Sequence, residues 1–189
     1  LTGRRLILVG GGARSGKSAF ALALARRLGA RRAFLATARA LDAEMASRVA
    51  SHRRERGGEF VTVEEPLDVA GAVARLDGAD VLVVDCLTLW ISNLLLRGDT
   101  QVRVAAEVEH LVATLEARPF HAVLVTNEVG MGVVPETALG RAFRDACGRA
   151  HQHLARRADR LYLAALGCIV RLKPNPLVLV SADGEGETP

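Results

Sequence analysis

The chain has 189 residues, 50% hydrophobic and 24% charged, which suits one compact domain with a substantial core. Its formal charge of +4 comes from arginine, since Lys17 and Lys173 are the only lysines; acids interrupt the basic residues (Arg53-Arg54-Glu55-Arg56) and only 4% of residues are aromatic, so no nucleic-acid surface is expected. Cys86, Cys147 and Cys168 are too scattered for a zinc pattern and odd in number for a disulfide framework; no apolar run nears the ~18 residues of a membrane span.

No charged stretch followed by an apolar one opens the chain, so a cytoplasmic location is expected; the first residue is Leu1 and not Met, so a trimmed or reassigned start is expected too. The first predicted element is a strand, Leu6 to Val9, followed by Gly11-Gly12-Ala13-Arg14-Ser15-Gly16-Lys17-Ser18. This matches G-x-x-x-x-G-K-[ST], and the alanine-rich helix predicted from Ser18 to Leu28 supplies the context that the motif needs. Glycines let backbone N–H groups turn onto phosphates, and the helix dipole points at the same charge. Lys17 then neutralises the β and γ phosphates of ATP or GTP, and the Ser18 hydroxyl joins the shell of a Mg2+ ion.

A strand over Ala33 to Ala36 comes next, ending at Thr37-Ala38-Arg39, and then a helix over Asp42 to Arg56. On that helix His52 lies three residues after Val49 and seven after Met45, at the border of the apolar face. Further strands are predicted at Phe60 to Val63, Val81 to Val84, Ala122 to Thr126 and Leu161 to Leu166, with helices at Leu67 to Leu76, Leu87 to Leu96, Val102 to Ala117 and Thr137 to Arg157. Short continuous apolar runs alternating with helices predict an α/β fold, a doubly wound, mainly parallel sheet flanked by helices, of the P-loop NTPase (RecA-like) type. Residues 1–180 form the single catalytic domain, and the Asp-, Glu-, Gly- and Pro-containing tail Ser181 to Pro189 is expected to be disordered. Asp85, directly after Val84, has two readings: an acid that holds Mg2+, or the N-cap of the next helix.

These parts are common to kinases, ATPases and GTPases, so they leave the reaction open between a small-molecule kinase and a RecA-like ATPase module. Other segments narrow it: Thr37-Ala38-Arg39, Arg48-x-x-x-His52-Arg53, Val63-Glu64-Glu65-Pro66, Asp85-Cys86-Leu87-Thr88-Leu89-Trp90, and above all Thr126-Asn127-Glu128-Val129-Gly130-Met131-Gly132-Val133-Val134-Pro135-Glu136. With the phosphate loop, in order from about Leu6 to about Lys173, they resemble the bifunctional adenosylcobinamide kinase / adenosylcobinamide-phosphate guanylyltransferase family of cobalamin biosynthesis.

The resemblance implies phosphorylation of adenosylcobinamide by a nucleoside triphosphate, then addition of GMP from GTP through a histidine-bound GMP. His52 stands at the matching position, and a neutral imidazole is nucleophilic enough for that role. Glu64, Asp85 and the segment Ala36 to Arg39, with Ala38 and Arg39, resemble the family's nucleotide contacts, although Glu64 could equally be an acid at a helix start. Arg53 and Arg56 suit either the α phosphate or a solvated helix face. The loop from Asn127 to Pro135 is open between a corrinoid or nucleotide surface and a subunit contact, and Trp90 between packing and an interface. His110, His151 and His153 read as surface or packing residues. A homo-oligomer is expected, with the apolar helix Leu87 to Leu96 as its candidate contact.

Overall fold

The computed structural model describes residues 3–39, 54, 57–174 and 178–180. His52, Arg53 and Arg56, most of the helix expected from Asp42 to Arg56, and the tail from Ser181 lie outside those residues. The strands are β1 (Leu6–Gly11), β2 (Arg32–Ala36), β3 (Phe60–Glu64), β4 (Val81–Asp85), β5 (His121–Asn127), β6 (Arg160–Ala165), β7 (Cys168–Lys173) and β8 (Val178–Val180). They make one eight-stranded sheet in the order β3-β2-β4-β5-β1-β6-β7-β8. Pairing is parallel from β3 through to β6 and antiparallel at β7 and β8.

The helices are α1 (Lys17–Leu28), α2 (Val69–Ala74), α3 (Leu87–Arg97), α4 (Gln101–Glu116) and α5 (Ala138–Arg157). Their placement explains why the strand sequences are apolar without interruption. Alternate side chains leave a strand on opposite faces. Ile7, Val9, Val81, Val83, Val123 and Val125 pack with Phe20, Ala21 and Leu24 of α1. Leu6, Leu8, Leu82, Val84 and Leu124 pack on the other face with residues of α2, α3, α4 and α5. A strand covered on both faces has no solvent side on which to place polar residues, which drives chemistry to the strand ends.

Helix ends follow local chemistry. Thr100, Thr137 and Asp68 each accept an N–H from the first turn of α4, α5 and α2 respectively, a cap contributing about 1 kcal/mol. Asp68 also shortens α2 against the expectation of Leu67 to Leu76, because the preceding N–H groups of Leu67 and Asp68 are taken by Glu65 Oε1. The Lys173 ammonium lies 3.3 Å from each of the Ala155 and Arg156 carbonyls, where a cation at the end of α5 meets the negative pole of the helix.

Trp90 is a packing residue: it is buried, and its Nε1–H donates to the Leu67 carbonyl at 2.9 Å. The same burial corrects the expected subunit contact on its helix. Leu87, Trp90, Ile91 and Leu94 are spent inside the protomer, leaving Leu96 as the large exposed apolar residue of α3.

Strands β7 and β8 are absent from the sequence reading, because the turn before β7 lacks an Asn-Gly or Asp-Gly signal. Ala165 pairs with Cys168, so the loop has two residues, and both Leu166 (φ 53°) and Gly167 (φ 80°) are left-handed. That geometry suits a type I′ hairpin but costs a leucine about 1–2 kcal/mol. Leu166→Asn should therefore raise the urea midpoint of unfolding by an amount equivalent to roughly 1 kcal/mol; an unchanged or lower midpoint would contradict the strain assigned to this residue.

Asp80, just before β4, accepts the N–H groups of Ala30 and Arg31 at 3.1 and 2.8 Å and pairs with the Arg31 guanidinium. This ties the entries of β2 and β4 together. The Arg31 guanidinium first, then the Arg31 amide, lowers the Asp80 carboxyl from 3.8 to about 2. A depressed folded value means stability present above the unfolded value and lost as pH falls through the folded one. Asp80→Asn should thus lower the thermal midpoint at pH 7, and the gap to wild type should close between about pH 4 and pH 2, as read from melts across that range.

Candidate functional site

Two helices begin without a side-chain cap, α1 directly after the turn that follows β1 and α3 directly after β4. Their first-turn N–H groups lie at the carboxyl ends of the parallel strands, where ligands of open α/β sheets bind. Between β1 and α1 the backbone turns left-handed at Arg14 (φ 56°) and Gly16 (φ 91°), which directs N–H groups into one concavity. At Gly11 a Cβ would sit 2.4 Å from the Ala164 carbonyl oxygen and 2.7 Å from Ser15 Oγ, so no larger residue fits. Gly12, Ala13 and Arg14 form the exposed lip.

Lys17 folds back over this loop: its ammonium donates to the Gly12 carbonyl at 3.0 Å, and the residue is only 8% exposed. Burial lowers its pKa, while the negative charge of Asp85 works against that shift. The Ser15 hydroxyl is buried with no hydrogen-bond partner among the described residues, which fits a loop built to enclose an anion. Ser18 is partly buried in the first turn of α1.

Asp85 closes β4 and does not cap α3, where the N-cap is Cys86 and no side chain fills the role. β5 stands between β1 and β4, so Asp85 is two strand spacings, roughly 10 Å, from the end of β1. Glu64, at the end of β3, is four positions from β1, or roughly 19 Å. At that distance it lies away from the phosphate loop. Ala38 and the exposed Arg39 follow the carboxyl end of β2, and from Arg39 the chain enters the segment that carries His52.

A layer of short polar side chains locks these strand ends. Thr37 Oγ1 donates to the Cys86 carbonyl at 2.7 Å and accepts the Cys86 N–H at 2.9 Å. Asn93 Nδ2 donates to the Thr37 and Pro66 carbonyls, and Asn127 Nδ2 to Thr88 Oγ1 at 2.9 Å. Burial, then the charge of Asp85, pushes the Cys86 thiol up to about 11, so it is neutral at physiological pH.

After β5 the chain returns to the phosphate loop, where the Glu128 N–H donates to the Gly11 carbonyl at 3.0 Å. Its carboxylate accepts the Gly130 N–H and lies 3.8 Å from His151 Nδ1. The other ring nitrogen of His151 is 2.7 Å from Thr126 Oγ1. Burial lowers the His151 pKa, opposed by the Glu128 charge. Beyond Glu128, Met131, Val133 and Val134 are exposed, Val133 to 95%. In sequence His151 reads as a surface or packing residue of a helix; its hydrogen bond to Thr126 at the end of β5 brings it to this edge. His153 pairs with Glu109, and His121 accepts the Arg5 N–H, both away from the loop.

The fold resembles the crystal structure of the RadB recombinase, with a TM-score of 0.55 over 95% of this chain and 89% of that one, at 15% identity. Sequence similarity is more specific. The bifunctional adenosylcobalamin biosynthesis protein CobP of Pseudomonas aeruginosa is 44% identical over 175 residues, covering 92% of this chain and 99% of that protein. The bifunctional adenosylcobalamin biosynthesis protein CobU of Escherichia coli is 39% identical, covering 89% of this chain and 99% of that one. Residues 7–172 match the family described as cobinamide kinase / cobinamide phosphate guanyltransferase. With the phosphate loop, Asp85 and the Asn127–Glu128 turn all inside that span, the chain belongs to the cobinamide kinase / cobinamide phosphate guanyltransferase family.

Proposed function

We propose that this enzyme phosphorylates adenosylcobinamide with ATP or GTP and then adds GMP from GTP to that phosphate by way of a guanylylated His52. Pyrophosphate is released and adenosylcobinamide-GDP is the product. The observation that carries the reading is Lys17, buried and folded over a phosphate loop, in a chain 44% identical to a protein named as bifunctional in adenosylcobalamin biosynthesis.

Both reactions use the same cradle at different phosphorus atoms. In the first, the loop amides and Lys17 hold the β and γ phosphates while the corrinoid alcohol attacks the γ phosphorus. In the second, the same groups hold the β and γ phosphates as leaving pyrophosphate. A His52 nitrogen attacks the α phosphorus, and the GMP it receives passes to the phosphate oxygen of the corrinoid. Arg53 and Arg56 neutralise the α phosphate, and Glu64, Ala38 and Arg39 contact the nucleoside.

Mg2+ suits Ser18 and Asp85 as its protein ligands. Among the described residues no three His, Cys, Asp or Glu side chains gather as a cation site, and a cation that draws most of its ligands from phosphates and water needs no such cluster. When bound, it neutralises phosphate charge in both transfers. No helix among the described residues is long and apolar enough to cross a membrane, and we assign the enzyme to the cytoplasm. It acts as a homo-oligomer, with exposed Met131, Val133 and Val134 as a contact.

Lys17→Met should abolish both transfers while holding or raising the thermal midpoint without nucleotide, because it removes a charge from a buried position. It should also lose the upward shift that GTP with Mg2+ gives the wild type in a thermal melt. A variant that melts lower without nucleotide contradicts the burial argument.

GTP labelled at the α phosphate should leave acid-labile, base-stable label on the wild-type polypeptide, and His52→Ala should lose that label and GMP transfer while still phosphorylating adenosylcobinamide. Equal loss of both activities in that variant would count against a separate role for His52.

A further inference from the structure

The two transfers differ in what their acceptors need. The corrinoid alcohol carries a proton that must leave as its oxygen attacks. The corrinoid phosphate, with a second pKa near 6, presents an oxygen already free of its proton at neutral pH. A general base is therefore required in the first transfer and not in the second.

We infer that Glu128 is the base for the phosphorylation step, placed by the Gly11 carbonyl and the β5 strand end; the inference rests on the function proposed above. Three observations support it. The Glu128 N–H donates to the Gly11 carbonyl at 3.0 Å, which fixes its Cα beside the first glycine of the phosphate loop. β5, which delivers it, stands between the strand bearing that loop and the strand bearing Asp85. The carboxylate is partly exposed at the carboxyl end of the sheet, with Oε1 held by the Gly130 N–H and Oε2 beside His151 at 3.8 Å.

Other carboxylates are less well placed. Glu64 is four strand positions from β1, and Asp159 is occupied at the opposite end of the sheet, where it accepts the Leu6 N–H at 2.7 Å. Asp85 faces the Lys17 charge and suits the cation. In the step itself the alcohol O–H bond breaks and its proton goes to Glu128 Oε2. The oxygen bonds the γ phosphorus, and the bond from that phosphorus to the β,γ-bridging oxygen breaks. The nucleoside diphosphate leaves with the electron pair, and Glu128 returns the proton to water. His151 and the Gly130 amide are positioning groups that hold the two carboxylate oxygens.

Glu128→Gln in the full-length enzyme tests this, since the amide oxygen still accepts the Gly130 N–H and the turn is preserved. Two assays are run on each protein: phosphorylation of adenosylcobinamide by γ-labelled ATP, and GMP transfer from α-labelled GTP to preformed adenosylcobinamide phosphate. The expected result is a fall of roughly 10²–10³-fold in kcat for phosphorylation, with KM for ATP and the rate of GMP transfer within about threefold of wild type. A cobinamide analogue fluorinated beside the acceptor hydroxyl, whose alcohol is more acidic, should recover at least about tenfold of the deficit. Unchanged phosphorylation, equal loss in both assays, or a deficit identical for the two alcohols would each overturn the role. A wild-type enzyme that does not phosphorylate adenosylcobinamide overturns the proposed function and this role with it, a result read before any substitution is made.

Discussion

The closeness of β6 to the end of β1 is the constraint on which the site depends. At Gly11 the Ala164 carbonyl and the Ser15 hydroxyl occupy the space where a side chain would stand. The chain must then turn through left-handed backbone at Arg14 and Gly16 before α1 can start. That turn holds the Gly12 carbonyl where Lys17 reaches it. It also leaves the Gly11 carbonyl available to the Glu128 N–H. One tight contact between neighbouring strands thus sets the shape of the phosphate loop, the resting position of its lysine and the start of the loop after β5.

The same sheet separates stability from chemistry. Side chains within the strands alternate between two apolar cores, while polar groups collect at the carboxyl ends. There Thr37, Thr88, Asn93 and Asn127 bond mostly to one another or to backbone. They hold strand ends in register and leave charge to Lys17, Asp85 and Glu128. Burial raises the Cys86 thiol and lowers Lys17, with the charge of Asp85 opposing the Lys17 shift.

On the proposed function, one cradle serves two phosphorus atoms with a different auxiliary group for each. His52 lies in the segment entered from the carboxyl end of β2, and Glu128 comes from the end of β5 beside the loop. The strand order puts β4 between the ends of β2 and β5. If those roles hold, the acceptor chemistry, rather than the nucleotide site, distinguishes the alcohol from the phosphate.

Much of this was legible in the residues themselves. The parallel strands and described helices were readable within a few residues, because continuous apolar runs and 3.6-residue periodicity are local signals. The phosphate loop was readable because only glycine, lysine and a hydroxyl at that spacing perform its task, and the family was readable from segments such as Thr126 to Glu136. What required the tertiary structure was long-range. The β6–β7 hairpin forms through a strained Leu166 that no turn rule favours. The helix of Trp90 turns inward because α4, α5 and the sheet cover it. Glu64 stands apart from the loop while Glu128 joins it, because strand order is a property of the whole sheet. Sequence by itself determined which groups are present and their local conformation; which of them meet was decided only when buried strands were packed side by side, since that order depends on contacts far apart in the chain.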